Sequence, residues 1–217
     1  MTKARIGFVG VGLMGHGMAK NIVEKGYPLT VVANRNREPV EDLIQRGAVE
    51  AKSIRAVAEA SDVVFICVTG STQVDAVVNG PEGLRAGAHK GLTIVDCSTS
   101  EPTLTRRLAA ELAEIGVTFL DAPLSRTPKE AWEGKLDVMT GGSEADLGRV
   151  HDVIACFAGR IVHVGPVGAG HTMKIVNNFV SMGYAALYAE ALSVAKANGV
   201  VPKAMNAVLS GGRMDCG

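Results

Sequence analysis

The sequence predicts an α/β fold: a doubly wound, mostly parallel sheet, followed by the start of an all-α region with one long helix. Three observations predict it. Short runs rich in Val and Ile alternate with segments of helical period, the pattern of βαβ units. Two of the runs, "DVVFICV" (Asp62 to Val68) and "LTIVDC" (Leu92 to Cys97), are nearly continuously apolar, as strands buried on both faces are. From Gly168 to Asn198 the strand signal stops, no proline occurs, and apolar residues recur around most of the helical circumference.

The elements follow in order. Ile6 to Val9 reads as the first strand, and a helical pattern runs from about Leu13 to Lys25. "LTVVAN" (Leu29 to Asn34) is the second strand. Helix-like segments surround Val40 to Arg46 and Ser53 to Ala60. Two buried strands follow at Asp62 to Val68 and Leu92 to Cys97. Glu101 to Ile115 is helical, "VTFLDA" is a strand, and Leu136 to Met139 is a further strand candidate. Ala145 to Phe157 is helical and "RIVHVG" closes the series. The long helix then reads as largely buried, and a short helix starts near Lys203. A long buried helix needs partners. With one short helix left to supply them, the chain reads as C-terminally truncated or as covered by another subunit. The expected division is 1–164 for the sheet domain and 165–217 for the start of a helical one.

The composition narrows the function. With 217 residues, 47% hydrophobic and 20% charged, the chain can bury a substantial core. Its formal net charge is zero, so neither a nucleic-acid surface nor a membrane partner is expected. "IGFVGVGLMG" is too short and too broken by glycine to span a bilayer. The four cysteines are scattered, without metal-ligand spacing, so buried free thiols, no metal and a cytoplasmic location are expected.

Gly10, Gly12 and Gly15 spell G-x-G-x-x-G after a strand and at the start of a helix, the context that makes the domain Rossmann-like. The first glycine permits a tight turn, the second lets backbone approach a pyrophosphate, and the third lets helix and strand pack closely. The helix N-terminus offers free N–H groups to the phosphates. The second strand ends "VVANRNRE", with Asn34, Arg35, Asn36 and Arg37 where NAD sites usually carry an acidic residue. Two guanidiniums there suit a 2′-phosphate, so NADP is expected over NAD. Solvated loop arginines are the alternative.

Lys174 and Asn178 are spaced i, i+4 at the start of the long helix and share one face. A lysine on a mostly buried helix must pair, snorkel or change its pKa, and a desolvated one can deliver a proton near neutral pH. An ordinary surface lysine is the alternative. His16 and His171 lie near these motifs, but a lone histidine is more often packed than catalytic. Trp132 is expected to pack, and Tyr184 and Tyr188 to serve a core or a subunit interface.

Four motifs in order resemble the β-hydroxyacid dehydrogenase family. "GFVGVGLMGHGMAKNI" looks like its cofactor turn, and "DCSTSEP" (Asp96 to Pro102) like its D-x-S-T segment. "DAPLSRTPKEAWEGKLDVMTGG" (Asp121 to Gly142) resembles its D-A-P-V-S-G-G substrate loop, and "GAGHTMKIVNN" its lysine helix. The resemblance implies an oxidoreductase that interconverts a small β-hydroxyacid, or a similar anionic alcohol, and its semialdehyde. Lys174 would be the acid/base and Asn178 its assistant. The cofactor-binding candidates are Gly10, Gly12, Leu13, Met14, Gly15, Asn34, Arg35, Arg37, Val68, Thr69 and Thr99. Ser98, Ser125, Arg126 and Thr127, with Lys174 and Asn178, are the candidates for substrate binding. A homodimer or homotetramer is expected.

The chain departs from the family in two ways: Ser125-Arg126-Thr127 replaces Ser-Gly-Gly in the substrate loop, and the further helices of family members, which help close the active site and supply a second lysine near the cofactor, are expected to be missing. Arg126 is expected to select the substrate's anionic group, as in sulfolactaldehyde-reductase-like members. The alternative has it pointing outward or pairing with Glu130. Three other readings stay open: a relative of 6-phosphogluconate dehydrogenase, which has His-Asn where this chain has Asn177-Asn178; an imine reductase, which lacks the lysine; and a catalytically silent NADP-binding module.

Overall fold

A computed structural model describes residues 3–210. Cys216 and the glycine-rich end of the chain lie outside the described residues. The structure divides into two units, one ending at Lys174 and the other beginning at Ile175.

The first unit is built on a nine-stranded sheet. Its strands are β1 (Ile6–Val9), β2 (Leu29–Val31), β3 (Val49–Glu50), β4 (Val63–Ile66), β5 (Thr93–Asp96), β6 (Thr118–Asp121), β7 (Leu124–Ser125), β8 (Leu136–Gly141) and β9 (Ala158–Gly165). The order is β3-β2-β1-β4-β5-β6-β8-β7, with β9 also paired to β8. The first six strands are parallel, in the 3-2-1-4-5-6 order of a dinucleotide-binding fold. β8 runs antiparallel to β6 and β7 and parallel to β9.

Helices cover both faces: α1 (Gly15–Glu24), α2 (Glu38–Gln45), α3 (Ile54–Ala60), α4 (Ser71–Asn79), α5 (Pro102–Ala113), α6 (Pro128–Glu133) and α7 (Glu144–Ile154). Strand side chains alternate between two cores. Ile6, Phe8, Phe65, Val95 and Leu120 join one cluster with α1, α2 and α7. Val9, Val64, Ile66, Ile94 and Phe119 join the other with α3, α4 and α5. That period of two explains the continuous apolar runs: each residue is buried, on one face or the other. Phe65 anchors the first cluster between Phe8, stacked at 6.2 Å, and Phe157, edge-on at 5.7 Å.

Several elements escaped the periodicity. α4 follows β4 after a single loop, and β3, β7 and α6 are two to six residues long. Such pieces are too short for a period to register. α6 is set by its ends. Thr127 and Glu130 form a capping box at its start, and Gly134 closes it in the left-handed region. It lies tightly on α1. A Cβ at Gly17 would come within 2.6 Å of the Trp132 backbone N, and buried Asn21 donates to Ala131 O at 2.9 Å.

The long helix, α8 (Ala169–Ala197), and the short α9 (Pro202–Leu209) match the expected switch to helix. The expectation of a largely buried helix is corrected. Only Gly170 and His171 of α8 are buried, while Phe179 and Met182 are 79% and 71% exposed. A helix apolar on every side needs covering surfaces on every side. Among the described residues beyond Ile175, α9 alone accompanies it. No helix among the described residues is long and apolar enough to cross a membrane.

Candidate active site

The three motif glycines meet three different constraints. Gly10 has φ +99°, and a Cβ there would lie 2.2 Å from Cys67 O. A Cβ on Gly15 would lie 2.0 Å from Gly10 O and 2.9 Å from the Phe8 ring. Gly12 has nothing within 4 Å. Two glycines are therefore demanded by the protein's own packing. The middle one leaves open space where a phosphate can come close to backbone.

That space belongs to a cleft of about 530 Å³ at the carboxyl ends of β1, β2 and β4. It brings together Gly10, Gly12, Asn34, Arg35, Val68 and Thr69. This is the point where strand order reverses, the usual position for a dinucleotide. Leu13 is exposed beside the turn, and Met14 packs against the first core cluster. Cys67 also lines the cleft, and burial pushes its thiol up to about 12. Cys67, Cys97 and Cys156 are free thiols.

The two loop arginines differ. Arg37 is held by Glu50 through two contacts of 3.1 and 3.0 Å, with Glu41 at 3.6 Å. Arg35 lines the cleft, is exposed, and has no side-chain partner among the described residues. The pair that looked equivalent in sequence is thus one committed ion pair and one free guanidinium.

The loops after β4 and β5 form the next wall. Ser98 is buried, and its hydroxyl accepts from Val68 N at 3.0 Å. Ser71 Oγ accepts from Glu101 N at 2.9 Å and tightens the same junction. Exposed Thr99 sits at this rim, beside Gly70.

Below the rim lies a cluster that the motifs did not announce. Asp96 and Asp121 are Cα partners at the ends of β5 and β6, and both are fully buried. Asp121 accepts from Gly168 N at 2.7 Å and His171 N at 2.8 Å, capping the start of α8. Fully buried His171 places Nδ1 2.7 Å from Thr105 Oγ1 and Nε2 3.1 Å from Ser98 O. Asp96 Oδ2 has no hydrogen-bond partner and lies 3.8 Å from His171 Nε2. Burial pushes the Asp96 carboxyl above its ordinary value, with His171 opposing the shift. The available signal was an Asp ending each of two apolar runs.

Lys174 follows His171 by three residues. It is half-buried, and burial lowers its pKa from the ordinary lysine value. Asn178 lies further along α8, in the second unit.

Ser125, Arg126 and Thr127 stand at the edge strand β7 and are not in the cleft lining. The Thr127 hydroxyl is used in capping α6. Arg126 has φ +87°, the one positive value outside glycine among the described residues. Its Nε donates to Asp137 Oδ2 at 2.9 Å. Asp137, not Glu130, is its partner, because Glu130 is engaged with Thr127 N and Oγ1. Nη1 and Nη2 of Arg126 have no protein partner among the described residues. His16 packs against Asp42 at 2.8 Å and edge-on to Trp132 at 5.2 Å, as a packed residue should. Among the described residues no group of His, Cys, Asp or Glu is arranged to hold a metal.

The glycine geometry separates folding from binding. Gly12→Ala should leave thermal unfolding within about 1 kcal/mol of the parent, since the new methyl meets open space. It should weaken NADPH binding by about ten-fold or more, measured by fluorescence titration. Gly15→Ala should cost several kcal/mol, of the order seen for overpacking. Equal stability losses in the two variants would contradict this account.

Comparison with known proteins covers both units. The family profile described as the NAD binding domain of 6-phosphogluconate dehydrogenase matches residues 5–165. That described as NAD-binding of NADP-dependent 3-hydroxyisobutyrate dehydrogenase matches residues 168–216. The chain is 38% identical to 2-hydroxy-3-oxopropionate reductase of Escherichia coli (strain K12), over 96% of this chain and 70% of that protein. It is 37% identical to 2-(hydroxymethyl)glutarate dehydrogenase of Eubacterium barkeri, over 94% of this chain and 68% of the relative. Among solved structures, Mycobacterium tuberculosis 3-hydroxyisobutyrate dehydrogenase with L-serine superposes with a TM-score of 0.90 at 28% identity, covering 99% of this chain and 72% of that one. With its parallel sheet, its glycine turn and its lysine-bearing helix, the chain belongs to the β-hydroxyacid dehydrogenase family of NAD(P)-dependent oxidoreductases.

Proposed function

We propose that this chain uses NADP(H) to interconvert a small β-hydroxyacid, or a similar anionic alcohol, and its semialdehyde, with Lys174 as acid/base. One observation carries the reading. Lys174 is a half-buried lysine of lowered pKa in a helix whose first turn is bonded, through Ser98, to the Val68 wall of the nucleotide cleft. When bound, the nicotinamide exchanges a hydride with the substrate carbon. In the reducing direction Lys174 gives its proton to the developing alkoxide, and in the oxidising direction its neutral amine takes the hydroxyl proton. In this reading Asn178 would orient the oxygen, Thr99 would help hold the cofactor, and Ser125 would offer its hydroxyl to the substrate carboxylate. Three features support NADP: the exposed, unpartnered Arg35, the absence of a carboxylate at Asn34 to Arg37, and the NADP-dependent family matched over residues 168–216. The exposed apolar side chains of α8 fit a homodimer or homotetramer.

Arg126 supplies the anion selectivity in this reading. An arginine held at φ +87° pays a conformational penalty of about 1–3 kcal/mol that glycine would avoid. Asp137 fixes its Nε and leaves the terminal nitrogens for a carboxylate, sulfonate or phosphate.

Four outcomes test this. Lys174→Ala should lower kcat by about 10²- to 10⁴-fold. In the parent, reduction should fall, and oxidation rise, as pH increases through a lysine pKa below its ordinary value. Unchanged turnover in the variant would refute the assignment. Arg35→Ala should raise the Kd for NADPH by about ten-fold or more, the loss of a charge-assisted contact, while NADH binding stays within about two-fold. A preference of the parent for NADH would remove the role of Arg35. Arg126→Gly should raise KM for dianionic semialdehydes by about ten-fold or more while unfolding is unchanged or slightly harder. An unchanged KM would mean that Arg126 serves Asp137 alone.

A further inference from the structure

Two buried carboxylates side by side are costly. Replacing such a cluster by apolar residues of similar volume is often neutral or stabilising. Asp96 and Asp121 stand in register on adjacent strands, both fully buried; Asp121 caps α8, whereas Asp96 Oδ2 has no hydrogen-bond partner, so stability alone does not account for Asp96. What they surround is His171. Its ring lies 3.8 Å from Asp96 Oδ2 and 3.9 Å from Asp121 Oδ2, while its backbone N–H is bound by Asp121 at 2.8 Å.

Both ring nitrogens face oxygen. Nε2 meets the Ser98 carbonyl at 3.1 Å. Nδ1 meets Thr105 Oγ1 at 2.7 Å, and that hydroxyl donates onward to Glu101 O at 3.1 Å. The two carboxylates are the charges that face the ring, and Arg106 of α5 packs against neighbouring Gly168.

The contacts of His171 lead in two directions. Through Ser98, whose hydroxyl accepts from Val68 N at 3.0 Å, they reach the wall of the nucleotide cleft. Along α8, residues three apart share a face, and the residue three beyond His171 is Lys174. We propose that His171 is a positioning residue for Lys174: clamped between Asp96 and Asp121 and bonded to Ser98, it sets the first turn of α8, and so the lysine, against the cofactor wall. The proposal rests on the reading of Lys174 as acid/base. It requires that a side chain of similar size but without the two ring contacts, to Thr105 Oγ1 and to Ser98 O, leaves Lys174 misplaced.

The test compares the parent with His171→Leu and His171→Gln. Both kinetics and the titration of Lys174 are measured, the latter by ¹³C NMR of the reductively methylated protein, with its signal assigned by Lys174→Arg. Expected in both variants is a fall in kcat of about ten- to hundred-fold, the scale of a small misplacement, with the Kd for NADPH within about two-fold. The Lys174 titration should move up toward that of an ordinary lysine. His171→Gln decides the matter if the leucine variant does not fold, because it keeps a donor toward Ser98. An unchanged kcat with an unchanged Lys174 titration overturns the proposal. So does a loss of kcat, NADPH binding and melting temperature together with the lysine titration unmoved, which is the mark of a merely structural role. A moved titration with unchanged turnover upholds the positioning and refutes the acid/base reading instead.

Discussion

Asp121 accepts backbone hydrogen bonds from Gly168 and His171 at 2.7 and 2.8 Å, and the arrangement of the carboxyl end of the sheet around Lys174 depends on that cap. An uncapped helix start leaves several N–H groups without partners, which is costly where no water can reach them. A carboxylate at the last position of β6 meets that demand and adds the attraction between a negative charge and the positive end of the helix. The fit is close. A Cβ on Gly141 would come within 2.4 Å of Asp121 Oδ1, and one on Gly170 within 2.8 Å of Oδ2. The first turn of α8 therefore belongs mechanically to the sheet, and the unit built on the sheet extends to Lys174.

The nucleotide cleft rests on a similar division of labour. Gly10 and Gly15 are glycine because protein atoms stand where a Cβ would go, and Gly12 is glycine although nothing stands there. A position kept empty without a packing reason points to a ligand. The loops after β4 and β5 are then tied across the cleft wall by Ser98 and Ser71. The cofactor surface and the lysine helix share these ties.

At the other edge of the sheet the backbone is less economical. Arg126 sits where glycine would be comfortable, between a two-residue strand and a helix capped by Thr127 and Glu130. Contacts of α6 with Gly17 and Asn21 of α1 hold that turn in place, so the left-handed conformation persists with a large side chain on it. Asp137 then orients the guanidinium.

Much of this was legible in the order of residues. Alternation of apolar runs with helical segments determines a parallel sheet, because both faces of each inner strand must be covered. The glycine spacing marks the tight turn between β1 and α1, and the loss of strand signal after Gly168 marks α8. Local patterns carry such information because each depends on neighbours within a few positions. Three decisions needed the tertiary structure. Arg35 and Arg37 look alike in "NRNR", yet Glu50 on β3 takes one and leaves the other. His171 looked like a solitary histidine, and two carboxylates 75 and 50 residues before it in the chain made it the centre of a cluster. The apolar circumference of α8 read as burial, while the described chain leaves it exposed. The partners of Arg37 and His171 are remote in sequence, and α8 finds none among the described residues to cover it; pairing and burial are properties of what lies nearby in space.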